Sequence, residues 1–328
     1  MGKKILIIRF SSIGDIVLTT PVIRCIKKQL PDSELHYLTK NIYASILMAN
    51  PYIDKLLVFE KPLHKCIRTI AKEKYDCVID LHNSLRSNII TSNLQLNTYV
   101  FNKINWRKWL MVKCKWNRLP DTHIVQRYLE TAKELHVSDD GGGLDYFIPP
   151  GDRIQQNDMP DFIRSGYCVI VTGAAHNTKK LPMEKLMELC EKIHKPIVLI
   201  GGKEDLPTGE ILARALPDKI WNTCGKFNIN QSASLIAQSE KVYTPDTGMM
   251  HIAAAFQKPI ISFWGNTIPE FGMYPYYNAT LSLQQLRAQK QIREVAGLSC
   301  RPCSKIGFTE CPHKHFQCMR AMDIADLE

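Results

Sequence analysis

Short apolar runs alternate with longer stretches of mixed apolar and polar residues along both halves of the chain. Apolar runs bounded by turn formers indicate buried strands, and apolar residues at helical spacing indicate helices that cover them. In the first half we expect strands near residues 4–10, 34–39, 54–59, 76–81 and 98–101, and a helix over residues 122–136. In the second half we expect strands near residues 167–171, 196–200, 241–243 and 259–263. This alternation predicts an α/β fold with a parallel sheet in each half.

Residues 139–160 break this periodicity. Two aspartates and three glycines at 139–143 precede Pro149, Pro150 and Gly151, and a polar run continues to Pro160. Turn formers clustered in this way are typical of a connection between domains. A chain of 328 residues also exceeds the usual size of one core. We therefore expect two domains, residues 1–155 and 156–328, the second with a cysteine-rich tail and a C-terminal helix.

Composition narrows the expected partners and location. Lysine and arginine outnumber aspartate and glutamate by 42 to 32, and the resulting net charge of +10 favours anionic partners. The apolar run at 5–8 is too short for the core of a signal peptide, so we expect a cytoplasmic protein whose eleven cysteines are mostly free thiols. Because no apolar run approaches the ~20 residues of a membrane-spanning helix, any membrane contact is expected to be peripheral.

The most informative motif is the polar turn after the first strand. Residues 5–8 lead into the sequence Ser-Ser-Ile-Gly-Asp at 11–15, and a helical pattern follows. Gly14 allows close approach or a positive φ there, and Asp15 is expected at the carboxyl edge of the sheet, where open α/β folds bind ligands. Capping of the helix is the alternative role for Asp15, and spacing alone favours it.

Two turns of the second half have the residues of an anion site. Asp246, Thr247 and Gly248 stand between a strand and a helix expected from Met249, and a helix N-terminus attracts phosphate. Capping of that helix by Asp246 or Thr247 is the alternative.

Lys179 follows the first strand of this half, before a helix that Pro182 is expected to open. It would place a cation beside a bound anion. A solvated pair with Lys180 is the alternative, and the sequence alone favours it.

Further polar residues follow other strand ends. Glu204 or Asp205 would bind a ribose diol or cap a helix, with Glu204 preferred. His251 is either a ligand contact or a buried helix histidine. In the first half, Arg86 would contact an acidic or phosphorylated sugar, although an exposed helix arginine is its default role.

Four segments together resemble the ADP-heptose:lipopolysaccharide heptosyltransferase family, glycosyltransferase family 9. They are residues 11–21, 80–87, 179–182 and 245–255. The resemblance implies the GT-B fold, in which two Rossmann-like domains with parallel sheets face a central cleft. It also implies an inverting transfer of heptose from ADP-heptose to a lipopolysaccharide core or related glycolipid, with an N-terminal acceptor-binding domain and a C-terminal domain for the nucleotide sugar.

The resemblance also assigns roles to residues. Asp15 becomes the general base and Lys179 the cation for the diphosphate, which reverses the preference for capping at Asp15. The implied donor-binding residues are Gly14, Glu204, Asp246, Thr247, Gly248, Met249 and His251. The implied acceptor residues are Ser11, His82 and Arg86, and His82 stands where family members usually have Gln. No cofactor besides the ADP-heptose donor, and no metal, is implied in the chemistry.

Three other functions remain open at this stage. A different nucleotide sugar would suit the same phosphate motifs. A nicotinamide dehydrogenase is disfavoured, because residues 11–15 contain one glycine where a dinucleotide turn needs three. A non-catalytic carbohydrate-binding relative would keep ligand affinity without needing Asp15.

The segment between Tyr99 and Pro120 is basic and rich in tryptophan. It contains Trp106, Trp109 and Trp116 among six lysines and arginines and no acidic residue. Such a mixture is typical of contact with an anionic membrane or glycolipid at the inner face of the cytoplasmic membrane. Inward packing of the indoles is an equal alternative. Base stacking is a lesser one, and we expect no nucleic-acid partner.

The last motif is a cluster of four cysteines, Cys300, Cys303, Cys311 and Cys318, with His313 and His315 among them. CxxC followed by two further cysteines is a plausible zinc arrangement. Reduced buried thiols, or disulfides formed on handling, are the slightly favoured alternative.

Overall fold

The computed structural model describes residues 2–325 and Leu327, which form two compact units. Unit 1 comprises the chain up to Ile104, together with Thr122–Pro149 and Asn278–Thr280. Unit 2 comprises Asn105–Asp121, Pro150–Tyr277 and the chain from Leu281 onward. The basic tryptophan segment, which the sequence places within the first domain, therefore belongs to unit 2.

Unit 1 is built on a five-stranded parallel sheet of order β3-β2-β1-β4-β5. Its strands are β1 (Lys4–Ile8), β2 (Glu34–Lys40), β3 (Lys55–Phe59), β4 (Cys77–Asp80) and β5 (Asn97–Val100). All five coincide with the expected apolar runs, and β1 and β4 are buried along most or all of their length. The helices of this unit are α1 (Ile13–Val17), α2 (Thr20–Gln29), α3 (Asn41–Ala44), α4 (Leu63–Ala71), α5 (Leu85–Leu94) and α7 (Ile124–Leu129), while α6 (Asn105–Cys114) belongs to unit 2.

Unit 2 is built on a six-stranded parallel sheet of order β11-β10-β9-β6-β7-β8. Its strands are β6 (Cys168–Val171), β7 (Ile197–Ile200), β8 (Ile220–Asn222), β9 (Lys241–Pro245), β10 (Ile260–Trp264) and β11 (Lys290–Glu294). The remaining helices are α8 (Asp161–Arg164), α9 (Met183–Lys192), α10 (Leu206–Ala215), α11 (Ile229–Gln238), α12 (Gly248–Ala255), α13 (Leu283–Gln289) and α14 (Gln317–Arg320). The four expected strands are confirmed, whereas β8 and β11 were not predicted.

Two helix predictions are wrong in detail. The helix expected over residues 122–136 is α-helical only over Ile124–Leu129 and continues as a 3₁₀ helix over Glu130–Leu135. The Thr131 hydroxyl donates to the Tyr128 carbonyl at 2.6 Å, and local bonds of this kind compete with the α-helical ladder. Pro182 is the N-cap of α9, one position before its expected place in the first turn.

Each unit has its own apolar core against its sheet. In unit 1, Leu6, Ile8 and Val78 from β1 and β4 pack with α4 and α5 residues such as Ile70 and Ile90. In unit 2 the core includes β6, β7 and α9, and the end of the chain around Met319 and Ile324 also packs into it. Within the residues described, no helix is both long and apolar enough to cross a membrane.

Candidate functional site

Each sheet has one point at which the strand order reverses. In unit 1 this point lies between the paired strands β1 and β4, and in unit 2 between β6 and β9. Loops diverge there at the carboxyl ends of the strands and leave a crevice, which is where open α/β sheets bind ligands. The loops after these four strands carry Asp15, His82, Lys179 and Asp246.

In unit 1, Asp15 forms an ion pair with Arg9, the residue that follows β1. Arg9 Nη2 lies 2.7 Å from Asp15 Oδ1. Arg9 itself is buried, and it donates to the carbonyls of Ser11 (2.7 Å) and Leu81 (2.5 Å). Because the guanidinium has three fixed partners, it holds the carboxylate in one orientation.

The second oxygen of Asp15 satisfies Ser12. The Ser12 hydroxyl donates to Asp15 Oδ2 at 2.7 Å, and the Ser12 backbone N–H donates to the same oxygen at 3.1 Å. Asp15 is thus the third residue of α1 and caps it in the manner of a capping box, so the capping role is realised. Gly14 has helical backbone within α1, and the positive φ allowed by the sequence is not used.

The surroundings of Asp15 favour its charged form. Burial opposes ionisation, but the charge of Arg9 and the hydrogen bonds from Ser12 outweigh it, so the pKa of Asp15 lies below its ordinary value. The side chain still retains 20% exposure. A charged, fixed and reachable carboxylate therefore stands at the switch point of unit 1.

The neighbouring loop after β4 is shaped by Asp80. Its Oδ1 accepts from the backbone N–H groups of His82 and Asn83, both at 2.8 Å. His82 packs edge-on against Phe10, and its buried Nδ1 has no hydrogen-bond partner. Burial, aided by the charges of Arg9 and Lys103, lowers the pKa of His82 to about 3. The ring is therefore neutral at physiological pH and offers one unsatisfied nitrogen.

The other expected acceptor residues differ in exposure. Arg86 lies in the first turn of α5 and is exposed, as in its default role. Ser11 is half-buried, and its carbonyl is taken by Arg9.

In unit 2, Lys179 and Asp246 meet at the switch point. Lys179 Nζ lies 2.5 Å from Asp246 Oδ2. The Thr267 hydroxyl, from the loop after β10, donates to the same oxygen at 2.9 Å. The two charged side chains keep 16% and 11% exposure, so an entering ligand can reach them. Lys179 is not a solvated partner of Lys180, because Lys180 forms its own ion pair with Asp205 at 2.6 Å.

The N-terminus of α12 lies directly after Asp246. Thr247 is its N-cap residue, but no side-chain hydrogen bond caps the helix there. The Asp246 carboxylate is directed to Lys179 and Thr267. The alternative in which these two residues cap α12 is therefore not realised, and the first-turn N–H groups suit an anion. His251 is buried one turn further along.

The loop after β7 separates Glu204 from Asp205. Asp205 is buried, accepts from the Gly202 backbone N–H at 2.9 Å and pairs with Lys180, so it serves the loop itself. Glu204 is exposed and folds over the same glycine, where a Cβ on Gly202 would lie 2.4 Å from Glu204 Oε2. Glu204 is the carboxylate of the two that a ligand can reach.

Two residues of these sites escaped the sequence analysis. Arg9 stands at the end of an apolar strand, and an arginine in that position requires buried partners, which is a usable signal. Thr267 follows β10 in a loop that no motif marked.

The basic tryptophan segment has its indoles on the surface. Trp106 and Trp109 of α6 stack with ring centroids 4.9 Å apart, and they are 66% and 47% exposed. Trp116 is 64% exposed. Inward packing of these indoles is therefore wrong. Lys108 of the same helix lies over the Phe271 ring, 5.9 Å from its centroid.

The comparisons with a family model and with known proteins agree on one family. Residues 63–300 match the family described as glycosyltransferase family 9 (heptosyltransferase). Lipooligosaccharide heptosyltransferase 2 of Haemophilus influenzae is 27% identical over 296 residues, covering 81% of this chain and 84% of that protein.

Solved structures share the fold. A glycosyltransferase family 9 structure from Veillonella parvula superposes with a TM-score of 0.68 at 22% identity, covering 83% of this chain and 84% of that one. The E. coli ADP-heptose lipopolysaccharide heptosyltransferase II superposes with a TM-score of 0.65 at 18% identity, covering 97% and 98%. These matches confirm the expected GT-B fold, with one parallel sheet in each unit.

Proposed function

This chain belongs to glycosyltransferase family 9, the heptosyltransferases, and we propose that it transfers heptose from ADP-heptose to a lipopolysaccharide core or related glycolipid, with inversion at the anomeric carbon. The observation that carries the proposal is the ionised, fixed and reachable Asp15 at the switch point of unit 1. The names of the matched proteins, which include an ADP-heptose lipopolysaccharide heptosyltransferase, support the choice of donor and acceptor class.

Asp15 is the general base of this mechanism. The acceptor hydroxyl oxygen forms a bond to the anomeric carbon on the face opposite the diphosphate, and its proton passes to the Asp15 carboxylate. The bond from that carbon to the diphosphate oxygen breaks, and ADP leaves with the electron pair. A single displacement of this kind inverts the centre.

The low pKa of Asp15 fits a late proton transfer. Its carboxylate is a weak base towards an intact hydroxyl, but the hydroxyl becomes strongly acidic once the new bond to carbon has begun to form. The hydroxyl and the backbone N–H of Ser12 occupy both lone pairs of Asp15 Oδ2, whereas Arg9 uses one lone pair of Oδ1, so Oδ1 keeps a lone pair for the acceptor. Positioning by Arg9 therefore supplies much of the rate.

Unit 2 binds the donor. Lys179 turns from Asp246 to the diphosphate, and Thr267 continues to satisfy the Asp246 oxygen that Lys179 leaves. The N-terminus of α12, at Thr247, Gly248 and Met249, adds N–H groups to the phosphates. Asp246 then receives sugar hydroxyls and Glu204 the ribose diol, while His251 supports the helix from within. The growing charge on ADP is stabilised by these groups.

The acceptor is bound by unit 1. His82 is half-buried with a neutral ring, which suits a hydrogen bond to a sugar hydroxyl. Arg86 is exposed and suits a phosphate or carboxylate on the acceptor. Ser11 and Gly14 shape the turn that carries the base.

Donor and acceptor screening tests this function. We expect ADP release when the purified protein is incubated with ADP-heptose and defined truncated glycolipids, with a product heavier by one heptose in mass spectrometry. The matched control replaces ADP-heptose by ADP-glucose and by UDP-sugars. Product only with another nucleotide sugar would contradict the donor, and folded protein that releases no ADP with any acceptor would contradict the function.

A second role is favoured by the exposed indoles of α6. Trp106, Trp109 and Trp116 present aromatic surface beside Arg107 and Lys113, in a segment without acidic residues. Indoles at headgroup depth with cations towards lipid phosphates bind the surface of an anionic membrane. We propose that this segment docks the enzyme on the inner face of the cytoplasmic membrane, where a glycolipid acceptor would be found.

Vesicle sedimentation tests this docking. We expect the protein to bind vesicles containing phosphatidylglycerol and to remain free of vesicles made of phosphatidylcholine alone. The double variant Trp106→Ser, Trp109→Ser should lose most of the binding, while a matched change of the half-buried Trp221→Phe should keep it. Equal binding of both variants would contradict the role of α6.

A further inference from the structure

The end of unit 2 gathers sulfur and nitrogen donors that the proposed transfer does not use. We refer to residues 300–318 as the cysteine tail. Its Cys300, Cys303 and His313 each offer a donor atom, and the three atoms lie within 4.8 Å of one another. Cys318 lies in α14 at the end of the tail, and all eleven cysteines of the chain are free thiols.

We propose that the cysteine tail binds one thiophilic divalent metal ion, of which zinc is the best match, through Cys300, Cys303 and His313. Zinc prefers four tetrahedral sulfur and nitrogen ligands at about 2.0–2.3 Å, which places neighbouring sulfur atoms about 3.8 Å apart. Donor atoms within 4.8 Å of one another need only a small adjustment to reach that spacing.

His315 is placed to orient a thiolate without being a ligand. Its Nδ1 accepts from the Gln317 backbone N–H at 3.0 Å, so a neutral ring carries its proton on Nε2. That nitrogen lies 3.7 Å from Cys300 Sγ and can donate to it. Hydrogen bonds of this kind fix the ligand atoms around a metal.

The cluster is also accessible to an ion. A surface cavity of about 610 Å³ is lined by Cys300, Cys303, His313 and His315. It supplies the entry path that a metal site requires.

The cysteine tail is hydrogen-bonded to the loop after β10, residues 265–267, which supports the Asp246 carboxylate of the donor site. The Cys303 backbone N–H donates to the Asn266 carbonyl at 3.1 Å. Arg301 donates to the carbonyls of Gly265 (2.6 Å) and Thr267 (3.0 Å). Thr267 in turn holds the Asp246 carboxylate.

A second part of the tail packs on the loop that carries Lys179. The Phe308 N–H donates to the Thr178 hydroxyl at 2.8 Å, and the Phe308 carbonyl accepts from the Thr178 N–H at 3.2 Å. Gly307 approaches His176 so closely that a Cβ there would lie 2.6 Å from the His176 Cβ. An ion that fixes the tail therefore fixes both loops of the Lys179–Asp246 pair.

Metal analysis of the intact protein tests the proposal. The protein is purified under reducing conditions without chelator and without a metal-affinity column, and its metals are measured by plasma mass spectrometry. We expect about one zinc per chain. Iron at that stoichiometry would also support a thiophilic site. Failure to find either metal, together with failure of the reduced protein to take up cobalt, would overturn the proposal.

Cobalt spectra of single variants test the ligands. Cys300→Ser, Cys303→Ser and His313→Ala should each lower cobalt affinity at least about tenfold, and the two cysteine variants should also weaken the sulfur-to-cobalt charge-transfer band. The exposed Cys114→Ser is the matched control and should retain the native spectrum. An unchanged spectrum in Cys300→Ser or Cys303→Ser would overturn the site.

The function of His315 and the effect on the donor site have their own readouts. His315→Ala should lower cobalt affinity about 10- to 100-fold while one ion still binds at saturation, and His315→Gln should restore part of the affinity.

Removal of the metal from the wild-type protein should weaken ADP binding about tenfold, and restoration of zinc should reverse this loss. Because metal content does not depend on the donor sugar, it can be confirmed even if the proposed transfer is wrong.

Discussion

The two switch points each hold an aspartate paired with a cation, but the pairs differ in how the cation is held. In unit 1 the cation is Arg9, which is buried and bonded to two backbone carbonyls in addition to Asp15. In unit 2 the cation is Lys179, which keeps 16% exposure and bonds only to Asp246 among the contacts described. The first pair is fixed in place, and the second can open.

This difference matches the two tasks of a glycosyl transfer. A base must remain charged and oriented through the reaction, and a guanidinium with several fixed bonds provides this. A cation for a leaving diphosphate must exchange one partner for another, which a flexible ammonium can do. In the proposed exchange, Thr267 would keep its hydrogen bond to the Asp246 oxygen when Lys179 leaves.

Removal of the fixed carboxylate is expected to have the largest effect. Asp15→Asn should lower the transfer rate about 10²- to 10⁴-fold, because no base then receives the acceptor proton. ADP binding, measured by calorimetry, should not change. The exposed Asp32→Asn is the control and should behave as wild type. Near-normal turnover by Asp15→Asn would contradict the role of base.

Removal of the movable cation should come next. Lys179→Met should lower kcat about 10²- to 10³-fold, because the charge on the departing diphosphate is no longer neutralised. Lys180→Met is the comparison, since this lysine pairs with the buried Asp205. It should lower the unfolding midpoint but leave the ADP dissociation constant unchanged. An equal decrease of kcat in both variants would contradict a specific role of Lys179 in neutralising the diphosphate.

The decrease of kcat/KM at low pH, which is the acid limb of its pH profile, tests whether Arg9 keeps Asp15 ionised. The carboxylate is active when deprotonated, so kcat/KM falls as the pH drops through its pKa. Because Arg9 lowers this pKa, the wild-type limb should lie below the usual value of about 3.9. In Arg9→Met the limb should move to higher pH, because burial then raises the pKa of Asp15 without the opposing charge.

A charge-preserving variant separates the electrostatic effect of Arg9 from its geometry. Arg9→Lys should leave the limb near its wild-type position while lowering the rate, because it lacks the fork of donors that fixes Asp15. A limb that stays in place in Arg9→Met, with folding confirmed by thermal unfolding, would refute the electrostatic role.

The smallest effect is expected from Thr267, which hydrogen-bonds the Asp246 carboxylate of the Lys179–Asp246 pair. Thr267→Val should weaken ADP binding about 3- to 10-fold, because Asp246 loses the hydrogen bond that compensates for departure of Lys179. The exposed Thr280→Val is the matched control. Unchanged ADP affinity in Thr267→Val would argue against the exchange of partners.

Most of the fold could be predicted because buried parallel strands are continuous apolar runs. β1, β6, β7 and β10 show this signal strongly. β11 does not, because it is an edge strand of mostly polar, half-buried residues that pairs with β10 alone. β8 spans only three residues, too few for a periodic signal.

The sequence predicted which loops carry the candidate site residues, but it did not predict which side chains those residues contact. Parallel strands bring their carboxyl ends to one edge, so Asp15 and Asp246 could be placed there from sequence. The exchange of bonds between Lys179, Asp246 and Thr267 joins three separate loops, and sequence spacing contains no information on it. The choice between Glu204 and Asp205 required the burial of Asp205 and its lysine partner.

The path of the chain between the units has a consequence for biosynthesis. Residues 278–280 belong to unit 1, where the Ala279 N–H donates to the Gly141 carbonyl at 2.8 Å, although they lie far along the chain. Residues 105–121 belong to unit 2, although they leave the ribosome before most of it exists. Neither unit therefore has all of its residues until late in translation, in contrast to the usual domain-by-domain order. The nascent chain must carry α6 without its unit 2 neighbours, such as Phe271, until those residues have been made.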